Sequence, residues 1–151
     1  NIHSSEPVGH NYMGKDKTPI GGFCNLAKMF PDLVLIIAHM GGGLPFYELL
    51  PEIKEAFKNV YYDIAANPLV YETRSIKCAA DIVGDEKILF GSDFPLLLYP
   101  NKCQDKEFES FINDIEANAG LNEKEWANIM GNNAREILSK AGKRFVLTSV
   151  S

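Results

Sequence analysis

The stretch VLIIAHMGGG, residues 34–43, joins a short apolar run to a histidine and three glycines. Its first five residues are continuously apolar, which is typical of a strand buried on both faces of a parallel sheet. Similar runs occur at residues 2–4, 60–64 and 88–91. The runs start about 26 to 32 residues apart, which is the length of one strand, one helix and the return crossover. The sequence therefore predicts an α/β fold with a parallel sheet.

Helices are predicted between and after these runs, and most of them have a capping residue at the start or a glycine at the end. The predicted spans are 19–30, 44–57 with a break at Pro51, 71–83, 106–118, a short helix after the Asn122 cap, and 132–141. With 151 residues and 46% apolar composition, the chain can form one domain with a real core. We expect this domain to cover residues 1–141 and to be followed by a tail, 142–151, whose β-prone run at 145–147 has no assigned place.

The composition also bears on partners. A net charge of -5 offers no basic face for a nucleic acid, and the longest apolar run, residues 33–38, is too short to span a bilayer. We therefore expect neither a nucleic-acid nor a membrane partner. The three cysteines form no CxxC pair, and an odd number cannot all pair within the chain. Free thiols in the cytoplasm are the expected state.

Ionisable side chains stand at the C-terminal end of every predicted strand. They are His3, His39, Asp63 and Asp93, and the remaining histidine, His10, follows the first strand closely. Because the C-terminal ends of parallel strands converge on one crevice, these side chains are predicted to share one site. Imidazole and carboxylate are ligands that a cation such as Zn²⁺ prefers.

Each of these residues also has a structural interpretation. A histidine at a strand end is more often a hydrogen-bonded structural residue than a ligand. Asp63 could cap a helix or order the following turn, and Asp93 could bond to its own local backbone. The glycines at 41–43 would let backbone approach a substrate, or they could simply form a tight turn between strand and helix.

Four segments together resemble a known family. They are IHSSEPVGH at 2–10, IAHMGGG at 37–43, ILFGSDFP at 88–95 and IMGNNAREIL at 129–138. In this order they resemble the fifth, sixth and eighth strands and the closing helix of amidohydrolase-related proteins of the aminocarboxymuconate-semialdehyde decarboxylase type. The resemblance implies a (β/α)8 TIM-like barrel, of which this chain would be the C-terminal half, strands five to eight.

The resemblance also implies roles for individual residues. His3 would be a metal ligand, His39 the catalytic histidine, and Asp93 both a metal ligand and a proton acceptor. A divalent metal, with Zn²⁺ expected, would be the cofactor. The residues expected around a small-molecule substrate are His10, Gly41, Gly42 and Asp63. The family's His-x-His pair on the first strand does not occur here, so the metal site is expected to be incomplete in this chain.

Three functions remain open on this basis. The first is a metal-dependent hydrolase that acts through a metal-activated water on a small organic substrate. The second is a lyase, a non-oxidative decarboxylase of an unsaturated or aromatic carboxylic acid, for which Lys15, Lys17 and Arg74 are candidate carboxylate anchors. The third is a non-catalytic fragment or a small α/β binding module, although no glycine-rich phosphate-binding motif is present.

The chain begins at Asn1, without a methionine and close to the end of a predicted strand. We therefore expect either that an upstream segment has been removed or that the chain is part of a longer protein. Half a barrel would leave two sheet edges open, and such edges favour association with another chain. A homo-oligomer is the expected assembly.

Overall fold

A computed structural model of the chain describes residues 1–12, 15, 17–99 and 108–148, with side chains up to residue 140. Three strands, β1 (Leu35–Ile37), β2 (Val60–Asp63) and β3 (Ile88–Leu89), form a sheet in the order β1-β2-β3. Both pairings are parallel. Ile2 extends the sheet beyond β1 through an isolated parallel bridge to Ile37. The predicted parallel α/β fold is confirmed.

In the part of the chain that the structure describes, seven α-helices pack around this sheet. They are α1 (Ile20–Met29), α2 (Pro51–Ala56), α3 (Asn67–Val70), α4 (Ser75–Val83), α5 (Glu109–Asn118), α6 (Glu123–Ala127) and α7 (Asn133–Thr148). Short 3-10 segments cover His39–Leu49 and Asp85–Lys87, and a π-helical turn, Asn128–Asn132, joins α6 to α7. Among the described residues, no helix is long and apolar enough to cross a membrane.

The core lies between the sheet and the helices that follow each strand. It is formed by side chains that are fully withdrawn from solvent, among them Ile37, Leu44, Phe57, Tyr62, Ile64, Ile76, Ile88, Phe111, Ile115 and Ile129. Burial of one such apolar side chain contributes about 1.5 to 3 kcal/mol. This packing fixes the strand order, and with it the positions of the residues at the strand ends.

Most predicted helix boundaries agree with the structure to within a few residues. The predicted break at Pro51 is the first residue of α2, where its missing N–H is not needed. The capping box of α6 is present, because Asn122 Oδ1 accepts a hydrogen bond from Glu125 N–H and Glu125 Oε2 accepts one from Asn122 N–H. Residues 106 and 107 of the predicted fifth-helix region, and Cys103, lie outside the described residues.

Two helix predictions were wrong. The region 71–83 is helical only from Ser75. Residues 71–74 are not helical and separate α4 from the short helix α3. The last helix does not end at residue 141 but continues to Thr148, so the β-prone run at 145–147 is helical. A glycine such as Gly142 costs a helix interior only about 1 kcal/mol relative to alanine, so without a left-handed cap it does not end the helix.

Gly42 supplies the first testable prediction. Its φ is +62°, and a Cβ at this position would lie 2.7 Å from the Ser5 carbonyl oxygen. Gly42→Ala is therefore expected to lower the free energy of unfolding by about 2 kcal/mol, measured by urea denaturation. Gly21→Ala is the matched control, because a Cβ added there would meet no atom within 4 Å, and the residue sits inside α1. It should leave stability unchanged or raise it by about 0.5 to 1 kcal/mol; equal losses in both variants would contradict the prediction.

Candidate active site

The strand ends open onto one cavity of about 420 Å³. Three of the four predicted strand-end residues line it, His3, His39 and Asp93, and so does His10. The remaining wall is largely apolar and is formed by Tyr12, Ala66, Leu69, Val70 and Leu96. The sequence therefore predicted the convergence of these ionisable groups, whereas no sequence signal pointed to the apolar wall or to Tyr12.

The two histidines are joined in a chain of contacts. His39 Nδ1 lies 3.0 Å from the Ala65 carbonyl oxygen, and His39 Nε2 lies 3.1 Å from His3 Nδ1. His3 Nε2 in turn lies 3.1 Å from Ser5 Oγ. Since a carbonyl oxygen only accepts, Nδ1 of His39 must carry a proton. With both rings neutral, Nε2 of His39 accepts from His3 Nδ1–H, and Nε2 of His3 accepts from the Ser5 hydroxyl, so the three hydrogen bonds run in one direction from Ser5 to Ala65.

Asp63 binds the backbone next to the two histidines and holds His39 in place. Its side chain is only 7% exposed and does not line the cavity. Oδ1 accepts hydrogen bonds from the backbone N–H groups of His39 (2.9 Å) and Ala65 (3.2 Å). These bonds hold His39 in a left-handed conformation, with φ of 57°, that a non-glycine residue seldom adopts. The expected substrate contact at Asp63 stays untested, and its placement favours a positioning role.

Gly41 and Gly42 do not line the histidine cavity either. Both have positive φ, and a Cβ on Gly41 would lie 3.0 Å from the Tyr62 ring. Close packing against neighbouring groups thus explains both glycines, in agreement with the tight-turn interpretation. Gly42 also lines a second cavity next to the first, so its expected contact with a ligand stays a prediction for that cavity.

Asp93 stands at the mouth of the site. It is exposed, has φ of 57°, and begins a turn in which Leu96 N–H donates to the Asp93 carbonyl oxygen. No hydrogen bond or ion pair from a described residue engages its carboxylate. Its two oxygens can therefore accept a ligand or a proton at the cavity without breaking an existing contact.

These donors fit a divalent metal by type but not by number. Imidazole and carboxylate suit Zn²⁺ or Mn²⁺, and a catalytic zinc ordinarily takes three protein ligands. Within the described part of the chain, no group of three His, Cys, Asp or Glu side chains is close enough to hold a metal ion. Both ring nitrogens of His3 also have partners already. The described residues therefore offer part of a ligand set.

The three candidate anchors for a carboxylate lie away from this cavity. Lys15 Nζ donates to the carbonyl oxygens of Val8 and His10 and so closes the loop after the first strand. Arg74 forms an exposed ion pair with Glu72. Lys17 does not line the cavity. A carboxylate in the histidine cavity would have to be held by other groups.

Solved structures of similar fold were found. The chain is 21% identical to a dihydroxybenzoic acid decarboxylase from Polaromonas sp. JS666 with bound manganese and 2-nitroresorcinol, with a TM-score of 0.61, covering 80% of this chain and 39% of that one. It is 19% identical to a 2,6-dihydroxybenzoate decarboxylase from Rhizobium (TM-score 0.58; 81% and 42%) and to a 5-carboxyvanillate decarboxylase from Sphingomonas paucimobilis (TM-score 0.55; 74% and 36%). No curated protein matches the sequence.

These likenesses concern the fold. They match the parallel α/β architecture to part of a TIM-barrel, and the chain spans about two-fifths of the length of these structures. At the level of sequence, the model of the amidohydrolase family matches residues 23–140. This match includes β1, β2, β3 and the first half of α7. The chain belongs to the amidohydrolase family.

Proposed function

We propose that this chain forms strands five to eight of a (β/α)8 barrel and carries half of the active site of a metal-dependent enzyme. The parallel order of Ile2, β1, β2 and β3 supports this proposal, since a barrel half has consecutive parallel strands. The limited coverage of the neighbours supports it as well. The other half of the barrel would then come from sequence beyond these 151 residues.

His3 and Asp93 are the residues proposed to hold a divalent cation. The remaining ligands would come from the other half of the barrel. Zn²⁺ was expected from the donor types, and the manganese of the Polaromonas neighbour makes Mn²⁺ an equal candidate. When bound, the cation would act as a Lewis acid that polarises an oxygen of the substrate.

The reaction we propose is non-oxidative decarboxylation of a small aromatic or unsaturated carboxylic acid. The observation that supports this reaction most directly is that His3, His39 and Asp93 line one largely apolar cavity. The fold of the chain also resembles that of decarboxylases. A cavity of about 420 Å³ suits a one-ring acid. The carbon–carbon bond to the carboxylate breaks, its electron pair stays on the ring carbon, and that carbon takes up a proton.

Two side chains of this protein would hold this proton and donate it to the ring carbon. His39 is fixed at Nδ1 by the Ala65 carbonyl, so its Nε2 edge faces His3 and the site. Asp93 lies on the same cavity, and its carboxylate has no hydrogen-bond or ion-pair partner among the described residues. We propose that His39 and Asp93 hold and deliver the proton, while the apolar wall excludes water.

Hydrolysis is the rival proposal, and the family's name favours it. The same histidines and aspartate could activate a water for attack on an ester, lactone or amide. The decarboxylase neighbours favour the lyase. The two proposals differ in product, because only the lyase releases CO₂ without consuming water.

The decisive experiment uses the protein as expressed from its own gene, loaded with Mn²⁺ or Zn²⁺. 2,6-Dihydroxybenzoate and 5-carboxyvanillate, each labelled with ¹³C in the carboxylate that would leave, are supplied, and ¹³CO₂ is measured. We expect label release that falls at least about 100-fold after treatment with a chelator and returns with the metal. p-Nitrophenyl acetate reports hydrolysis in parallel. Ester cleavage without any ¹³CO₂ would favour the hydrolase, and a protein with neither activity nor bound metal would overturn the enzyme proposal.

A further inference from the structure

A second cavity, of about 400 Å³, adjoins the histidine cavity. The two share His10, Tyr12 and Val70 as lining residues. The second cavity extends between the loop after the first strand and the turn of glycines after β1. Aromatic side chains form much of its wall, including Phe46, Tyr47 and Tyr71. A ligand in the histidine cavity could therefore extend into this aromatic space.

Glu6 lies in the wall of this cavity and is only 8% exposed. Its Oε2 accepts a hydrogen bond of 2.8 Å from the Tyr12 hydroxyl. Its Oε1 is buried and has no hydrogen-bond partner among the described residues. Buried carboxylate oxygens are nearly always paired, since withdrawal from water without a partner is costly. The unpaired Oε1 is therefore a feature that calls for a partner.

The neighbouring groups do not supply a positive charge to Glu6. No ion pair with Glu6 occurs within the described ranges of the chain. Lys15 lines the same cavity, but its Nζ is held by the carbonyl oxygens of Val8 and His10. The Tyr71 hydroxyl lies beside the Glu6 carboxylate, and burial, then the negative charge of Glu6 and a side-chain hydrogen-bonding contact with it, raise the pKa of Tyr71, so this group brings a neutral donor and no positive charge. Among the described residues, the aromatic cavity thus contains a carboxylate that forms no ion pair.

We propose that Glu6 is a specificity-determining residue, whose carboxylate accepts a hydrogen bond from a hydroxyl or ammonium group of an aromatic ligand. The ring of this ligand would pack among Phe46, Tyr47 and Tyr71. Because Oε1 is withdrawn from solvent, this proposal requires the surrounding side chains to move when the donor group binds. In the proposed enzyme, the substrate would carry this donor group at the end away from the reacting carboxylate. This inference about the substrate rests on the proposed function.

The binding itself can be tested separately with ligands that have no carboxylate. Benzylamine, benzyl alcohol and benzyl methyl ether share one ring but differ in the donor. Their dissociation constants for the protein as expressed from its own gene are measured from backbone amide shifts in NMR titrations. We expect benzylamine or benzyl alcohol to bind about tenfold more tightly than the ether and to shift the amides of Gly9 and Gly43, which line the cavity. The better of the two identifies the donor as ammonium or hydroxyl.

Three variants make the outcome specific. Glu6→Gln should reduce the preference over the ether by about fivefold, because a neutral acceptor makes a weaker hydrogen bond. Should this variant fail to fold, Glu6→Asp, which keeps the charge but retracts it by one methylene, replaces it. Glu55→Gln changes an exposed carboxylate on α2 and should leave the preference intact. His39→Asn should also leave the preference among the three probes intact. A failure of this binding proposal can then be distinguished from a failure of the proposed reaction. Equal binding of the three probes, or a preference that survives the Glu6 substitution, would overturn the proposal.

Discussion

Replacing His39 with asparagine is expected to lower kcat/KM for the proposed decarboxylation by about 100- to 10,000-fold, the usual contribution of a positioned acid or base. Asparagine tolerates the left-handed conformation that His39 adopts, with φ of 57°, so the backbone should be retained. Its amide cannot take up or release a proton near neutral pH. The loss should therefore fall on kcat, with KM little changed. Steady-state kinetics of the metal-loaded protein measure both.

A matched variant separates proton transfer from cavity shape. His10 lines the same cavity but takes no part in the contacts between His3 and His39. His10→Ala is expected to raise KM with a smaller change in kcat. Metal content, measured by elemental analysis, should be equal in the His39 variant and the unmodified protein. A His39→Asn protein that keeps its metal and its kcat would rule out the proposed role of His39.

The parallel sheet and the converging strand ends were predictable because both follow from a short-range pattern. Short continuous apolar runs that are rich in β-branched residues, such as residues 34–38, are typical of a strand buried on both faces. Once these strands are parallel, their C-terminal ends must lie at one edge, and His3 and His39 come within 3.1 Å through Nδ1 and Nε2. The spacing of the runs therefore carried information about a tertiary contact.

The direction of each side chain at the strand ends was less predictable. Asp63 ends β2 in the same way that His39 follows β1, yet it is buried under the backbone of His39. The left-handed backbone of residues 39–43 creates N–H groups that need an acceptor at this point. Only the three-dimensional turn shows that need, so the sequence left Asp63 open between a substrate contact and a structural role. The cavity around Glu6 was missed for the same reason, because its wall combines a loop, a turn and α3.

A buried ion pair of Glu48 and Lys87 carries the last prediction, on stability. The side chains are 1% and 11% exposed, and Lys87 Nζ lies 2.7 and 2.6 Å from the two carboxylate oxygens. Lys87 also donates to the Phe57 carbonyl, and the Tyr62 hydroxyl donates to Glu48 at 2.7 Å. The pair thus ties the segment after β1 to the start of β3 through a tyrosine of β2. No pattern in the sequence indicated this contact across 39 residues.

Glu48→Gln is expected to lower the free energy of unfolding by about 3 to 5 kcal/mol, because it leaves a buried ammonium without its counter-charge. Lys87→Met should also destabilise, whereas the double variant should lose clearly less than the sum of the two. Urea denaturation measures all three. Asp81→Asn, which removes an exposed partner of Lys77, is the control and should change little. Additive losses in the double variant would show that the two side chains act independently.

The pH dependence of the Glu48→Gln variant provides a second, independent check on this pair. Burial lowers the pKa of Lys87, and Glu48 opposes that shift. Removing Glu48 should therefore lower the pKa of Lys87 in the folded protein further below its value in the unfolded chain. Between these two pKa values the unfolded chain binds the extra proton, so stability rises with pH. The stability difference between the variant and the unmodified protein should thus shrink as the pH is raised into the alkaline range. A difference that stays constant or grows would mean that the uncompensated charge of Lys87 is not the cause of the destabilisation.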